Sequence, residues 1–267
     1  MNRRTGSVMK EPQDLTTLIH ALNDSNAHAR CYATRELGKT GDPQVVTALA
    51  RMLEDADTCV RVEAVWALAE IGLPALPMLL QALENSDADV RRCAAEALGK
   101  LDTDESVPAL IQALRDTDRR VRAAAAGALG AIGDPEAVPA LIQALEDEYW
   151  WTRATAARAL GALKARQAVS PLIKALADSV YAVRASAART LGQLGSSRAV
   201  PALIRTLSDT DSDVRESAAH ALGELGDPRA IPALIELVVR DENEDVRRAA
   251  AGALFAIGQS ILAPLAE

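Results

Sequence analysis

Residues 107–133 read VPALIQALRDTDRRVRAAAAGALGAIG. The first eight residues recur identically at 138–145, as VPALIRTL at 200–207 and, more loosely, as LPMLLQAL at 76–83. About fifteen residues after each start comes an arginine, usually behind a valine, and then an alanine-rich stretch that ends near ALG. These arginines are Arg30, Arg61, Arg91, Arg122, Arg153, Arg184, Arg215 and Arg247, at steps of 31, 30, 31, 31, 31, 31 and 32. So constant a step marks stacked supersecondary units.

Each unit reads as two helices. Pro108 suits the first turn of helix A, where a missing N–H costs nothing. Leu110, Ile111 and Leu114 recur at helical spacing. Asp118 is placed to cap the free N–H groups that open helix B. Val121, Ala125, Ala128, Leu129 and Ile132 supply that helix's buried stripe, and Gly133 fits a left-handed C-terminal cap before the Asp134–Pro135 turn. Neither helix buries its face alone, whereas stacked neighbours do. The expectation is an all-α, right-handed α-solenoid of about eight two-helix repeats with no β-sheet, in which Leu129 and Leu160 are buried. It comprises a tail over 1–13, disordered by composition, and one repeat domain over 14–267 that ends in a half-repeat.

The unit VPALIxAL…DxDxxVRxxAAxALGxIGD resembles the short HEAT-like repeat of phycobilisome-lyase-type proteins, over residues 14–261. Related repeats occur in the E/F-type phycobilin lyase subunits and in deoxyhypusine hydroxylase. The resemblance implies B helices lining a concave surface. It also implies two enzyme readings. A deoxyhypusine hydroxylase-like protein holds a di-iron centre through His-Glu pairs on its B helices. No His-Glu dipeptide occurs here, and His20, His28 and His220 do not converge in an extended array. No metal site and no cofactor is therefore expected. The phycobilin lyase reading, a chromophore-handling subunit, stays as the alternative function.

Composition agrees with a helical array. Hydrophobic residues make up 49% and aromatics 3% of the chain; much of the apolar content is Ala and Leu, whereas strand-based folds favour aromatic and β-branched residues. The formal charge of −8 repels phosphate backbones and argues against nucleic acid as partner. No run of 18 apolar residues lacks a charge, and MNRRTGSVMKEPQ at 1–13 has no apolar signal core, so neither a membrane nor a secretory route is expected. Three cysteines, an odd number, argue against a disulfide framework and for the cytoplasm. Cys31, Cys59 and Cys93 fall at positions +1, −2 and +2 from the repeat arginine. Adjacent helices about 8–10 Å apart set them too far apart for shared ligation, so they read as small buried or incidental residues.

Two repeats break their own pattern. Position −4 from the arginine holds Asn26, Asp57, Asp87, Asp118, Asp211 and Asn243, all good N-caps, but Tyr149 in the fifth repeat and Val180 in the sixth. Trp150 and Tyr181 stand at −3, and Trp151 at −2. Glu148 and Ser179 are the neighbours able to take over the capping. Position +5 adds Arg158 and Arg189 to the same edge, and Tyr32 at +2 with Trp66 at +5 marks a lesser aromatic spot. Aromatic and arginine side chains are the usual anchors of protein interfaces. The expected function is a non-enzymatic scaffold that binds a protein or peptide in the concave groove through Tyr149, Trp150, Trp151, Tyr181, Arg158, Arg189, Trp66 and Tyr32. The alternative is that Trp150 and Tyr181 merely pack against each other and the inter-helix turn. The repeat arginine recurs with an aspartate at −6, such as Asp116 before Arg122, and this pairing reads as a structural ladder of ion pairs or turn hydrogen bonds. SILAPLAE at 260–267 resembles the start of another helix A and offers an apolar end for dimerisation.

Overall fold

The computed structural model describes residues 14–262. Among these residues there are sixteen α-helices and no strand. The chain is an all-α repeat array of the solenoid class, and it divides into two compact units, up to Leu101 and from Asp102. The first unit contains Leu15–Ala21 (α1), Ala27–Lys39 (α2), Val46–Arg51 (α3), Thr58–Ile71 (α4), Leu76–Ala82 (α5) and Ala88–Leu101 (α6). The second contains Val107–Ala113 (α7), Arg119–Ile132 (α8), Val138–Ala144 (α9), Trp150–Ala162 (α10), Val169–Ala175 (α11), Tyr181–Gln193 (α12), Val200–Thr206 (α13), Ser212–Leu225 (α14), Ile231–Arg240 (α15) and Glu244–Leu262 (α16). Even-numbered helices are the B helices. Within each unit they pack on the next B helix and on the A helix of their own repeat. Residues 1–13 lie outside the described part. So do 263–267, which hold most of the expected half-repeat and dimerising end; α16 itself runs on through Gly258 to Leu262.

The helices begin and end for the reasons their residues supply. Asn26, Asp57, Asp118 and Asp211 each accept a first-turn N–H at the start of a B helix, and Asp87 and Asn243 do the same. Gly133 closes α8 in the left-handed region at φ 79°. The core is a file of leucines and small residues, with Leu129 and Leu160 both wholly buried.

Glycine sets how closely the B helices stack. Position +8 is Gly38, Gly99, Gly130, Gly161, Gly192 and Gly223, with Ala69 in the second repeat. A Cβ on Gly130 would lie 2.8 Å from the Cα of Ala159, and one on Gly223 2.9 Å from the Cα of Ala253. The next B helix presents its +6 residue there, so two backbones nearly touch. In the eighth repeat Phe255 stands at +8 and is 70% exposed. Glycine at +8 therefore answers to the neighbouring helix and not to helix formation.

The arginine ladder makes the turn hydrogen bonds expected with the −6 residue and adds an ion pair to the next repeat. Arg122 meets the −6 residue of its own repeat, but through the backbone: its Nη1 donates to the carbonyls of Asp116 and Thr117. Its Nε and Nη2 donate to the carboxylate of Asp147, at 2.7 and 3.0 Å, and Asp147 is the −6 residue of the following repeat. The same fork joins Arg153 to Asp178, Arg184 to Asp209 and Arg215 to Asp241, and Arg30 to Asp55 in the first unit. Each aspartate also accepts the N–H two residues on, as Asp178 does from Val180. In the third repeat Asn85 replaces the aspartate, and Arg61 pairs instead with Asp87.

Two outcomes test this frame. Alanine is favoured over glycine inside a helix by about 1 kcal/mol, but the Cβ added by Gly130→Ala meets backbone that cannot step aside. That variant is expected to lose about 2 kcal/mol, seen as a lower urea midpoint. Burial raises the pKa of Asp178, yet its hydrogen bonds from Arg153 and Val180 bring it below the ordinary value. A carboxyl depressed in the folded state contributes its full stability above the unfolded pKa of about 4, and loses it as the pH falls through the folded value. Asp178→Asn is therefore expected to cost about 3 kcal/mol at neutral pH, and the gap from wild type to shrink below about pH 4, in denaturation series at each pH.

Candidate functional site

The aromatic cluster sits at the start of α10. Tyr149 occupies the N-cap position in an extended conformation, and neither it nor Val180 before α12 makes a side-chain cap. Glu148 does not replace the cap. Its carboxylate reaches back to Arg122 Nη2 at 3.0 Å. Trp150 stacks between its neighbours, 6.1 Å from the Tyr149 ring at 60° and 5.2 Å from the Trp151 ring at 85°. Edge-on contacts at these separations suit the ring quadrupoles. A Trp150–Tyr181 contact is not among the ring contacts of the described residues, so these two do not simply fill each other's space.

Guanidinium groups flank the rings. Arg158 lies 5.2 Å from the Trp151 centroid and also donates to Thr155 Oγ1 at 3.0 Å. Arg119 lies 4.8 Å from the Tyr149 centroid. The order in space is thus Arg119, Tyr149, Trp150, Trp151, Arg158, a run of alternating cation and π faces at its two ends. Trp151 is 43% and Tyr181 48% exposed, while Tyr149 and Trp150 are half-buried and Arg158 and Arg189 are exposed. Arg119 was missed in the sequence reading. Its signal was its place at −3, the register of Trp150 and Tyr181 in the next two repeats.

The lesser aromatic spot belongs to the first unit. Lys100 sits 4.5 Å above the Trp66 ring, a second cation the sequence reading did not name, and Tyr32 is half-buried. Of the thiols, Cys93 is buried as expected, Cys31 is half-buried and Cys59 is exposed, so burial does not account for all three. Burial pushes the Cys31 and Cys93 thiols up. Among the described residues no group of three or more His, Cys, Asp or Glu side chains is placed to hold a metal ion. Nor is any described helix long and apolar enough to cross a membrane.

The HEAT repeats family matches overlapping stretches at 15–89, 52–125, 76–161, 107–186, 138–222 and 169–255. The chain belongs to the HEAT repeat family. Among solved structures, YibA of Escherichia coli is 22% identical, with a TM-score of 0.66 over 95% of this chain and 98% of YibA. An engineered protein is 25% identical, with a TM-score of 0.56 over 92% of this chain and 79% of the other. The complex of CpcE and CpcF of phycocyanin lyase from Nostoc sp. is 26% identical over 96% of this chain and 100% of that one, but with a TM-score of 0.45, too low to carry an argument. A search of curated proteins gives no match.

Position −1 of the repeat yields one more local oddity. Valine stands there in six repeats and Ala29 in the first, but Thr152 in the fifth. Thr152 is wholly buried and its Oγ1 has no hydrogen-bond partner among the described residues. An orphaned hydroxyl in an apolar site is a direct cost. Thr152→Val keeps the shape and removes the orphan, so it is expected to raise stability by about 1 kcal/mol, measured by chemical denaturation.

Proposed function

We propose that this protein is a non-enzymatic scaffold whose partner is an acidic protein segment with large apolar side chains, docked on the B-helix edge formed by the first turns of α10 and α12. The observation that carries this reading is the exposed pair Trp151 and Tyr181 beside guanidinium groups stacked on the same aromatic row. In the other repeats positions −3 and −2 hold mostly small or polar residues, so the fold does not require rings there.

The chemistry selects the partner. Tryptophan and tyrosine offer broad apolar surface at little conformational cost, and arginine is the third residue typical of hot spots. A guanidinium on a ring keeps its donors free at the rim, where a carboxylate is accepted in the fork geometry. The two helices start without side-chain caps, and an open helix N-terminus favours negative charge. All these features attract carboxylates on a chain whose formal charge is −8, so an acidic segment is expected to be drawn to this edge and repelled elsewhere.

A displayed peptide library panned on the intact chain tests the reading. The expected winners are acidic segments with aromatic or large aliphatic anchors, and their affinity should fall with salt. Trp151→Ala with Tyr181→Ala should weaken them by about thirtyfold, equivalent to about 2 kcal/mol, at an unchanged melting temperature. Winners that keep their affinity for the double variant, or lose it only as the fold melts, would overturn the proposal.

A further inference from the structure

Away from the aromatic edge, the first unit contains a cavity of about 580 Å³ lined by His28, Cys31 and Arg35 of α2, by Cys59 and Glu63 of α4, and by Arg92 of α6. Two of the three thiols in the chain open into it. Their placement follows from the helix geometry. Arg35 and Glu63 form a two-pronged ion pair between α2 and α4, at 2.8 and 3.0 Å. Cys31 lies four residues before Arg35, and Cys59 four before Glu63. Each thiol is therefore one turn below one partner of that bridge, on the same face of its helix.

The two helices are also close, as successive B helices are at position +8. A Cβ on Gly38 would come 2.5 Å from the Cα of Ala67, so the α2 and α4 backbones almost touch about two turns above the cysteines. A disulfide needs Cα atoms about 4.4–6.8 Å apart, closer than the usual helix spacing, and the approach at Gly38 brings this helix pair toward that range. We propose that Cys31 and Cys59 are a redox-active dithiol that closes into a disulfide linking the first two repeats.

Their environments divide the roles. Cys59 is exposed and Cys31 half-buried, with burial opposing the Cys31 thiolate. Cys59 is the entry thiol. Its thiolate attacks a low-molecular-weight disulfide, forming a mixed disulfide and expelling one thiolate, which takes a proton from water. Cys31 then gives up its proton to water and attacks the Cys59 sulfur, expelling the second small thiolate. The two protein thiols are oxidised and one small disulfide is reduced to two thiols. Cys93 is buried and takes no part.

Oxidised glutathione on the intact, native chain is the probe, read by whole-protein mass after acid quench and by non-reducing peptide mapping. The expected product has lost two hydrogens, carries no glutathione and links Cys31 to Cys59. Its melting temperature should rise by about 5 °C and return on reduction, since the link closes a loop in the unfolded chain. Cys31→Ser should trap one glutathione on Cys59. A wild-type protein that keeps one or two glutathiones, reacts at Cys93 or fails to react would overturn the proposal.

Discussion

The fork from Arg30, Arg122, Arg153, Arg184 or Arg215 to the next repeat's aspartate does two jobs with one side chain. Nη1 of Arg153 holds two carbonyls of its own interhelical turn, Asp147 and Glu148. Its Nε and Nη2 hold the carboxylate of Asp178 at 2.6 and 2.8 Å. Asp178 in turn accepts the N–H of Val180 and shapes the turn from which the next arginine springs. A buried ion pair is weak evidence for net stability, because apolar replacements of equal volume often do as well. Register is what this pair supplies. A repeat out of register leaves a half-buried guanidinium and a half-buried carboxylate unpaired, and the turn absorbs one extra residue between Arg215 and Asp241 to keep the pair. The third repeat shows how firm the demand is: with Asn85 at the usual place, Arg61 re-aims to Asp87 and Asn85 donates to the carbonyl of Leu53 instead.

The ladder fixes one end of each B helix and the +8 glycine fixes the distance at the other. Between them lies an alanine-rich interface with little room for change. What remains free is the outer stripe at −3, −2 and +5, which makes neither the core nor the stack. Large residues enter the chain there at small cost to the fold. The exposed aromatics of α10 and α12 and the dithiol of α2 and α4 lie on this stripe or beside it, while histidines, the usual reactive residues, are few and scattered.

The repeat made most of the fold legible in the sequence. Arg30 to Arg247 set the period, Asp118 and its equivalents set the helix starts, and Leu129 and Leu160 marked the core. The ladder's hold on its own −6 residue was legible, but its second partner was not, because Asp116 and Asp147 are the same residue one step apart. A pattern that repeats exactly cannot say whether an arginine turns to its own aspartate or to the next, and only the reach of the side chain decides. The aromatic row was legible as a break in the pattern, whereas Arg119 was hidden by it: an arginine at a variable position carries no mark until Tyr149 is seen beneath it. Cys59 was hidden likewise. Cysteine is so often a small core residue that its exposure, and the cavity it shares with Cys31, are visible only in three dimensions.

The fifth repeat concentrates its departures from the rule. It lacks an N-cap, which elsewhere contributes about 0.5–2 kcal/mol, and it buries the hydroxyl of Thr152 without a partner. Yet Arg122 enters the turn before α10 and Arg153 leaves its first turn with their forks complete, so the repeat keeps its place in the stack. The start of α10 thus lacks the side-chain cap that Asp118 gives α8, while its register is kept. Side chains held in register on a helix end that is itself less constrained can adjust to a partner without disturbing the array. That combination is what a docking edge needs, and it arises in the repeat where Tyr149, Trp150 and Trp151 stand together.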